Sequence, residues 1–472
     1  MATQASTTTS PPQRRFPIRW AVLSMDFLVL GLNYADRAAL GIAGTFIIKD
    51  FDLTKAQFGL VASIFFFGYV PFNFIGGYLS DKLGPRKVMG AAIAWWSVFT
   101  ALTAAGTNFV GLLIIRFLFG FGEGPQASVT AKTMSNWYPR RELGRALGIS
   151  QSSTPLGGAI AAPLVVAILE ATHNNWRVAF IILGVIGLLF TVGWVVVVRD
   201  TPAQHPWISA AEVREIEEGQ AESPSSAPAH DHSIHDGTVD DAAPGLLYYA
   251  RQPLVLATAF AFFGYAWVLY TFLTWFPVYL LQARGVSLAS LSFAGAIPWI
   301  AGFIGFCAGG IVTDWIANKT GNYAETRKWI IVVCLLLTAG FQAATVFATS
   351  AAAAVALTSA VVFTLYLTGA QYFAIIADLV PRIRFGGVVG FVHSIANLAG
   401  ILAPFIIGYI VDTTHSWGLT FGLTAVICAA GAIGLILFGS TKRYRELELP
   451  ETPPPPNSPR DTAASPQQST GQ

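Results

Sequence analysis

A chain of 472 residues that is 54% hydrophobic and only 11% charged lies far from the roughly 25% charged composition of soluble domains, and reads as a polytopic membrane protein. Its formal net charge of +2 offers no basic surface for nucleic acid. Its three cysteines, Cys307, Cys334 and Cys428, all lie in apolar runs and set out neither a disulfide framework nor a metal site.

Residues 1–19 form a polar tail with Arg14, Arg15 and Arg19 ahead of an apolar run too long for a signal-peptide core. A bilayer core takes about 20 apolar residues per helix. Stretches of that kind recur at 20–43, 58–79, 88–106, 109–134, 143–169 and 178–198, then at 254–281, 288–316, 329–348, 352–378, 386–411 and 417–438. The expected fold is therefore an all-α membrane protein of twelve transmembrane helices in two six-helix halves, 20–198 and 251–440. Between them, 199–250 reads as a linker, with a short amphipathic surface helix at 206–220 and a low-hydrophobicity middle from Ser223 onward. The His230, Asp231, His232, His235 and Asp236 tract within it reads as solvated chain rather than a metal site. A proline-rich tail closes the chain at 441–472. Lysines and arginines crowd the side that holds the termini, while only Lys49, Lys55, Arg177 and Arg284 fall on the other, which places both termini in the cytoplasm.

An internal repeat supports the two halves. Gly77-Tyr-Leu-Ser-Asp81 precedes Arg86 and Lys87 after the second span, and Gly310-Ile-Val-Thr-Asp314 precedes Arg327 and Lys328 after the eighth. Tandem six-span halves are the design of transporters that hold substrate between them near the bilayer midplane. No nucleophile and base pair, metal cluster or phosphate loop points to an enzyme; Gly120-Phe-Gly-Glu-Gly124 lacks the strand, turn and helix that a nucleotide motif needs.

Four ionisable side chains stand inside apolar stretches: Asp36 and Arg37 in the first, Arg116 and Glu123 in the fourth. Burying charge in a bilayer costs at least a few kcal/mol, so such residues read as parts of an ion and substrate pathway. Arg116 and Glu123, seven residues apart, share a helix face about 10 Å apart along the axis. Arg116, permanently charged and able to fork onto a carboxylate, is the expected anion clamp. Glu123, desolvated, is suited to loading and releasing a proton near neutral pH, and Asp36 beside Arg37 reads as a second coupled unit. Ionised, the two carboxylates neutralise the two arginines; protonation frees an arginine for the substrate anion. Lys132 and Asp378, at the ends of spans, read as snorkelling or inter-helix charges.

The run Gly77-Tyr-Leu-Ser-Asp-Lys-Leu-Gly-Pro-Arg-Lys87 resembles the loop signature of the major facilitator superfamily, with Gly77, Asp81, Gly84, Arg86 and Lys87 as a gating motif and Asp314 as its echo. More selectively, Asn33-Tyr-Ala-Asp-Arg37, Arg116-Phe-Leu-Phe-Gly-Phe-Gly-Glu-Gly-Pro125, Trp137-Tyr-Pro, Thr274-Trp-Phe-Pro-Val-Tyr279 and the stretch from Gly390 through Gly408 resemble the anion:cation symporter family, over about residues 20 to 440. That resemblance, nearest to its galactonate branch, implies that Asp36 and Glu123 are the protonation sites and that Arg37 and Arg116 serve the substrate anion or its counter-ions. Tyr34 and Tyr69 match substrate-contacting positions of that branch, and Thr154 falls where the branch has glutamine. In the second half, Tyr270, Gln371, Tyr372, His393 and Asn397 are polar and aromatic groups suited to a sugar acid. His393 stands where many relatives carry asparagine, and with Thr154 it turns the expectation away from galactonate itself.

The expected function is proton-coupled symport of an organic anion into the cell: a hexonate, hexuronate or aldarate, carried by a monomer in the lipid bilayer with protons as coupling ion and no other cofactor. The alternatives are an aromatic or small dicarboxylate on the same fold, a proton-coupled drug exporter, and a transporter-like sensor read out through the linker.

Overall fold

The computed structural model describes residues 17–221, 245–380 and 382–440, all helix, turn and connection with no strand among them. The first group of helices is α1 (Ile18–Asp50), α2 (Lys55–Leu83), α3 (Pro85–Thr103), α4 (Phe109–Glu123), α5 (Gln126–Trp137), α6 (Arg140–Ala171) and α7 (Trp176–Val197). A connecting α8 (Ala210–Ala221) and a short α9 (Leu246–Ala250) lead to the second group. That group is α10 (Pro253–Ala283), α11 (Leu288–Thr320), α12 (Tyr323–Thr345), α13 (Ala351–Leu367), α14 (Gln371–Leu379), α15 (Arg382–Thr414) and α16 (Trp417–Phe438). The helix starts carry their own signals: Thr54 and Gln57 close a capping box on α2, and Asn108, Ser287, Asn322 and Ser350 cap α4, α11, α12 and α13.

Nine helical stretches among the described residues are long and apolar enough to cross a membrane. Missing from the nine are α1, α3 and the stretch through α4 and α5. Their composition explains it: α1 carries Asp26, Asp36 and Arg37 along its length, α3 opens on Arg86 and Lys87, and α4 and α5 hold Arg116, Glu123 and Lys132.

Two stretches expected to be continuous are each broken. At 109–134 the ladder lapses after Glu123, at Gly124 and Pro125; Pro125 has no N–H to donate, and both residues keep right-handed helical dihedrals. At 352–378 no proline intervenes. There the turn tightens, with Thr368, Gly369 and Gln371 donating to carbonyls three residues back while the Thr368 hydroxyl bonds the Leu365 carbonyl at 2.7 Å.

The described residues 199–221 of the linker are bound to the first half. Ser209 caps the N-terminus of α8, so the helix starts at Ala210 rather than at 206. The Glu212 carboxylate accepts from the backbone N–H groups of Ile18 (3.1 Å) and Arg19 (3.0 Å), capping α1, whose own preceding residue, Pro17, supplies no cap. Asp200 caps α3 through the Arg86 N–H at 2.8 Å, and the Gln220 amide donates to the Ser135 and Asn136 carbonyls at the end of α5. The middle of the linker with its histidine tract, the N-terminal residues before Pro17 and the proline-rich tail lie outside the described residues.

At the end of the molecule where α1 finishes, the halves interlock. Asp412 on α15 accepts from the Lys55 and Ala56 N–H groups at 3.0 and 2.7 Å and caps α2 across the divide. Gly41 on α1 and Gly59 on α2 let backbones touch there: a Cβ on either would stand 2.2 Å from a carbonyl oxygen of the other half, that of Leu273 or of Pro404. At the opposite end the ion pairs stay within one half, Asp81 with Lys132 (2.8 Å) and Arg327 with Asp378.

Candidate functional site: a charged wall facing an aromatic wall

Midway along α1, Arg37 extends toward α4 and its Nε donates to Glu123 at 2.8 Å; both side chains are buried. The guanidinium lies over the rings of Phe65 (4.6 Å), Tyr69 (4.7 Å) and Tyr34 (5.4 Å). Arg116 lies over Phe119 at 4.4 Å and over the other side of the same cluster, Phe65, at 6.0 Å. This closeness depends on a glycine: a Cβ on Gly120 would stand 2.0 Å from the Phe65 carbonyl oxygen, so only glycine lets α4 seat against α2 here.

The pairing is crossed relative to the sequence expectation. Asp36 does not join Arg37, because neighbouring residues on a helix point about 100° apart and do not face each other. Arg37 takes Glu123 from α4, while Asp36 turns toward Thr100 on α3 and Arg116 on α4. Arg116 Nε has no hydrogen-bond partner among the described residues, while Asp36 lies beside the Thr100 hydroxyl and Glu123 beside the Asn33 amide. The four charges thus form one cluster across α1 and α4, with bonding capacity to spare, rather than two separate units. Removing one member of the Arg37–Glu123 pair would leave its partner buried and uncompensated, which costs about 3–5 kcal/mol.

The opposite wall comes from α10, α13, α14 and α15, and it is neutral. Tyr270 donates to the Asn397 side-chain oxygen at 2.9 Å, and the Asn397 amide donates to the His393 carbonyl at 2.8 Å. Phe66 bridges the walls, its ring 4.4 Å from that of Tyr270. His393 stacks on Phe262 and meets the edge of Phe373, each at 5.9 Å. Gln371 is buried at the start of α14, just past the break. Tyr372 packs into its own half, stacked on Phe262 at 4.4 Å with its hydroxyl accepting from Thr368 and its neighbours being Cys334 and Cys428. Thr154 is buried on α6 with its hydroxyl bonded back to the Gln151 carbonyl. The Tyr366 hydroxyl lies near both Thr154 and Tyr34.

Asp81 pairs with Lys132 of α5, and Arg86 donates to the Val195 carbonyl of α7, so both tie helices of the first half to each other. Gly84 has φ +86, and a Cβ there would also meet the Asp200 carboxylate at 2.4 Å. Lys87 and Asp314 are exposed, and the second half is tied instead by Arg327 to Asp378.

A family model described as Major Facilitator Superfamily matches residues 27–374 and 325–469. The chain belongs to the Major Facilitator Superfamily. It is a transporter rather than an enzyme, multi-pass in the bacterial inner membrane. It is 40% identical over 419 residues to the hexuronate transporter of Bacillus subtilis (strain 168), covering 88% of this chain and 94% of that one. It is 32% identical over 435 residues to the probable galactarate/D-glucarate transporter GudP of the same organism, covering 91% and 92%. Among solved structures it resembles a bacterial homologue of the human lysosomal transporter Spinster, with a TM-score of 0.65 at 17% identity over 92% of this chain and 97% of that one; this likeness is one of fold.

For a member of this superfamily, sequence reasoning left several residues unseen. Asp26 is a fifth ionisable group within the first span, fully buried, accepting from Thr130 (2.7 Å) and Ser150 (2.5 Å). The rule that singled out the other four applies to it equally. Phe65 and Phe66, which seat both arginines and link the walls, look like ordinary membrane phenylalanines in sequence. Tyr265 and Tyr366, near Tyr34, carry only the weak signal of a hydroxyl in an apolar run.

Proposed function

We propose that this protein is a proton-coupled symporter that brings a sugar acid into the cell. It would span the bilayer twelve times as a monomer, with α4–α5 and α13–α14 each serving as one broken span and both termini cytoplasmic. The observation that carries the reading is the buried Arg37–Glu123 pair at the boundary between the halves. While Glu123 is ionised it occupies the Arg37 fork. A proton on Glu123 removes the competing charge, and the guanidinium can then offer two N–H donors along one edge to a substrate carboxylate. Asp36, buried in the same cluster, serves as the second proton site. The tyrosines and the Asn397 amide suit the hydroxyls and apolar face of a sugar, and the relatives named for hexuronate and for galactarate/D-glucarate support that substrate class.

This assignment moves the anion clamp from Arg116 to Arg37. Arg37 is the arginine within electrostatic reach of Tyr270 and His393 in the second half, whereas the charged partners of Arg116 all belong to the first. The test is Glu123→Gln in proteoliposomes. Accumulation of labelled hexuronate under an imposed proton gradient should disappear while substrate counterflow, which moves no net proton, survives. Accumulation at the normal level would remove Glu123 from the coupling role.

A further inference from the structure

The relatives leave the charge of the substrate open, since one is named for a hexuronate, which carries one carboxylate, and another for galactarate and D-glucarate, which carry two. Resting on the sugar-acid reading above, we infer that the site is built for acids with a single carboxylate and discriminates against those with one at each end.

Across α1 and α4, the guanidiniums of Arg37 and Arg116 and the carboxyls of Asp36 and Glu123 sum to zero when all are ionised; Asp26, also buried on α1, is bonded away to Thr130 and Ser150. One substrate carboxylate entering with one proton, on Glu123, restores that sum. A second carboxylate calls on Asp36 to be protonated together with Glu123, or leaves a net negative charge away from water, which a low-dielectric site resists strongly.

Geometry adds to arithmetic. Arg37 lies over the Tyr69 ring, which packs on Phe66 and through it reaches Tyr270 of the second half, whereas Arg116 lies over Phe119 of its own helix. A rigid sugar acid clamped at Arg37 by one end presents its other end to α10 and α15. Among the described residues of the second half, every lysine and arginine lies in a connection or within two turns of a helix end, and none in the interior of a span. The groups that meet the far end of the substrate are the Tyr270 hydroxyl, the Asn397 amide and the Tyr366 hydroxyl, with His393 the one side chain there able to gain a positive charge. Asn397 already spends its amide on the His393 carbonyl and its oxygen on Tyr270. Neutral donors of this kind satisfy sugar hydroxyls and an aldehyde or hemiacetal oxygen, but do not compensate a desolvated carboxylate.

The experiment is a competition at neutral pH on the reconstituted full chain. Counterflow of a labelled hexuronate is challenged with the same hexuronate unlabelled, with the aldarate that carries a second carboxylate in place of its C1 aldehyde, and with an aldonate, which is open-chain like the aldarate but has one carboxylate. The expected result is at least a tenfold weaker competition by the aldarate than by either acid with one carboxylate, matched by a smaller thermal shift of the purified protein. Equal or better competition by the aldarate overturns the inference while leaving the sugar-acid reading intact. If none of the acids competes or shifts the melting of the protein, the sugar-acid reading fails and the inference fails with it.

Discussion

The two halves share a plan and divide the chemistry. Each breaks the corresponding helix near its middle, α4 from α5 beside Glu123 and α13 from α14 beside Gln371. The first half fills the space next to its break with two arginines and two carboxyls, where proline enforces the break. The second fills it with tyrosines, an amide and a histidine, where a tight turn around Thr368 and Gly369 does the same. A broken helix frees backbone groups and side chains at the point where a substrate sits, so the repeat supplies geometry and the individual residues decide what is done with it. On the proposed function, coupling belongs to the charged wall and discrimination to the neutral one.

That division can be broken from either side. The largest effect is expected at Arg37. Arg37→Lys keeps the charge but loses the fork that meets Glu123 and the flat face against Phe65 and Tyr69, so the half-saturating concentration in counterflow should rise about 30-fold, the equivalent of about 2 kcal/mol. Near-normal counterflow in Arg37→Lys, beside a large loss in Arg116→Lys, would return the anion to Arg116. A smaller effect is expected across the divide. Tyr270→Phe removes one neutral hydrogen bond to Asn397 and should weaken counterflow about fivefold, for about 1 kcal/mol, without lowering the ratio of accumulation a proton gradient supports. A collapse of accumulation in Tyr270→Phe would mean that coupling is shared between the walls.

Much of this was legible in the sequence because its physical cause is local. Apolar length, the repeated Gly-x-x-x-Asp segments and charges placed where lipid should be are each read from a few neighbouring residues, and they led to the all-helical fold, the superfamily and the cluster of Asp36, Arg37, Arg116 and Glu123. What was not legible depends on how helices rotate and pack against each other. Adjacency suggested Asp36 with Arg37; the rotation of α1 gives Arg37 to Glu123 instead. Phe65 mattered only once Gly120 was seen to bring α2 and α4 to backbone contact. Tyr372 looked like a lining residue, yet the turn before α14 aims it into its own half, against Phe262. The docking of α8 could not be foreseen either, since nothing in Glu212 alone says that it will cap the helix that begins at Ile18, nearly two hundred residues earlier.

The central claim is that an anion and a proton cross together because they exchange places around one arginine. Its most direct test is uptake of a labelled hexuronate by the reconstituted wild-type protein with and without an inward proton gradient. Accumulation above the external concentration that collapses when a protonophore dissipates the gradient is the predicted result. Uptake that merely equilibrates, and is indifferent to the gradient, would contradict it.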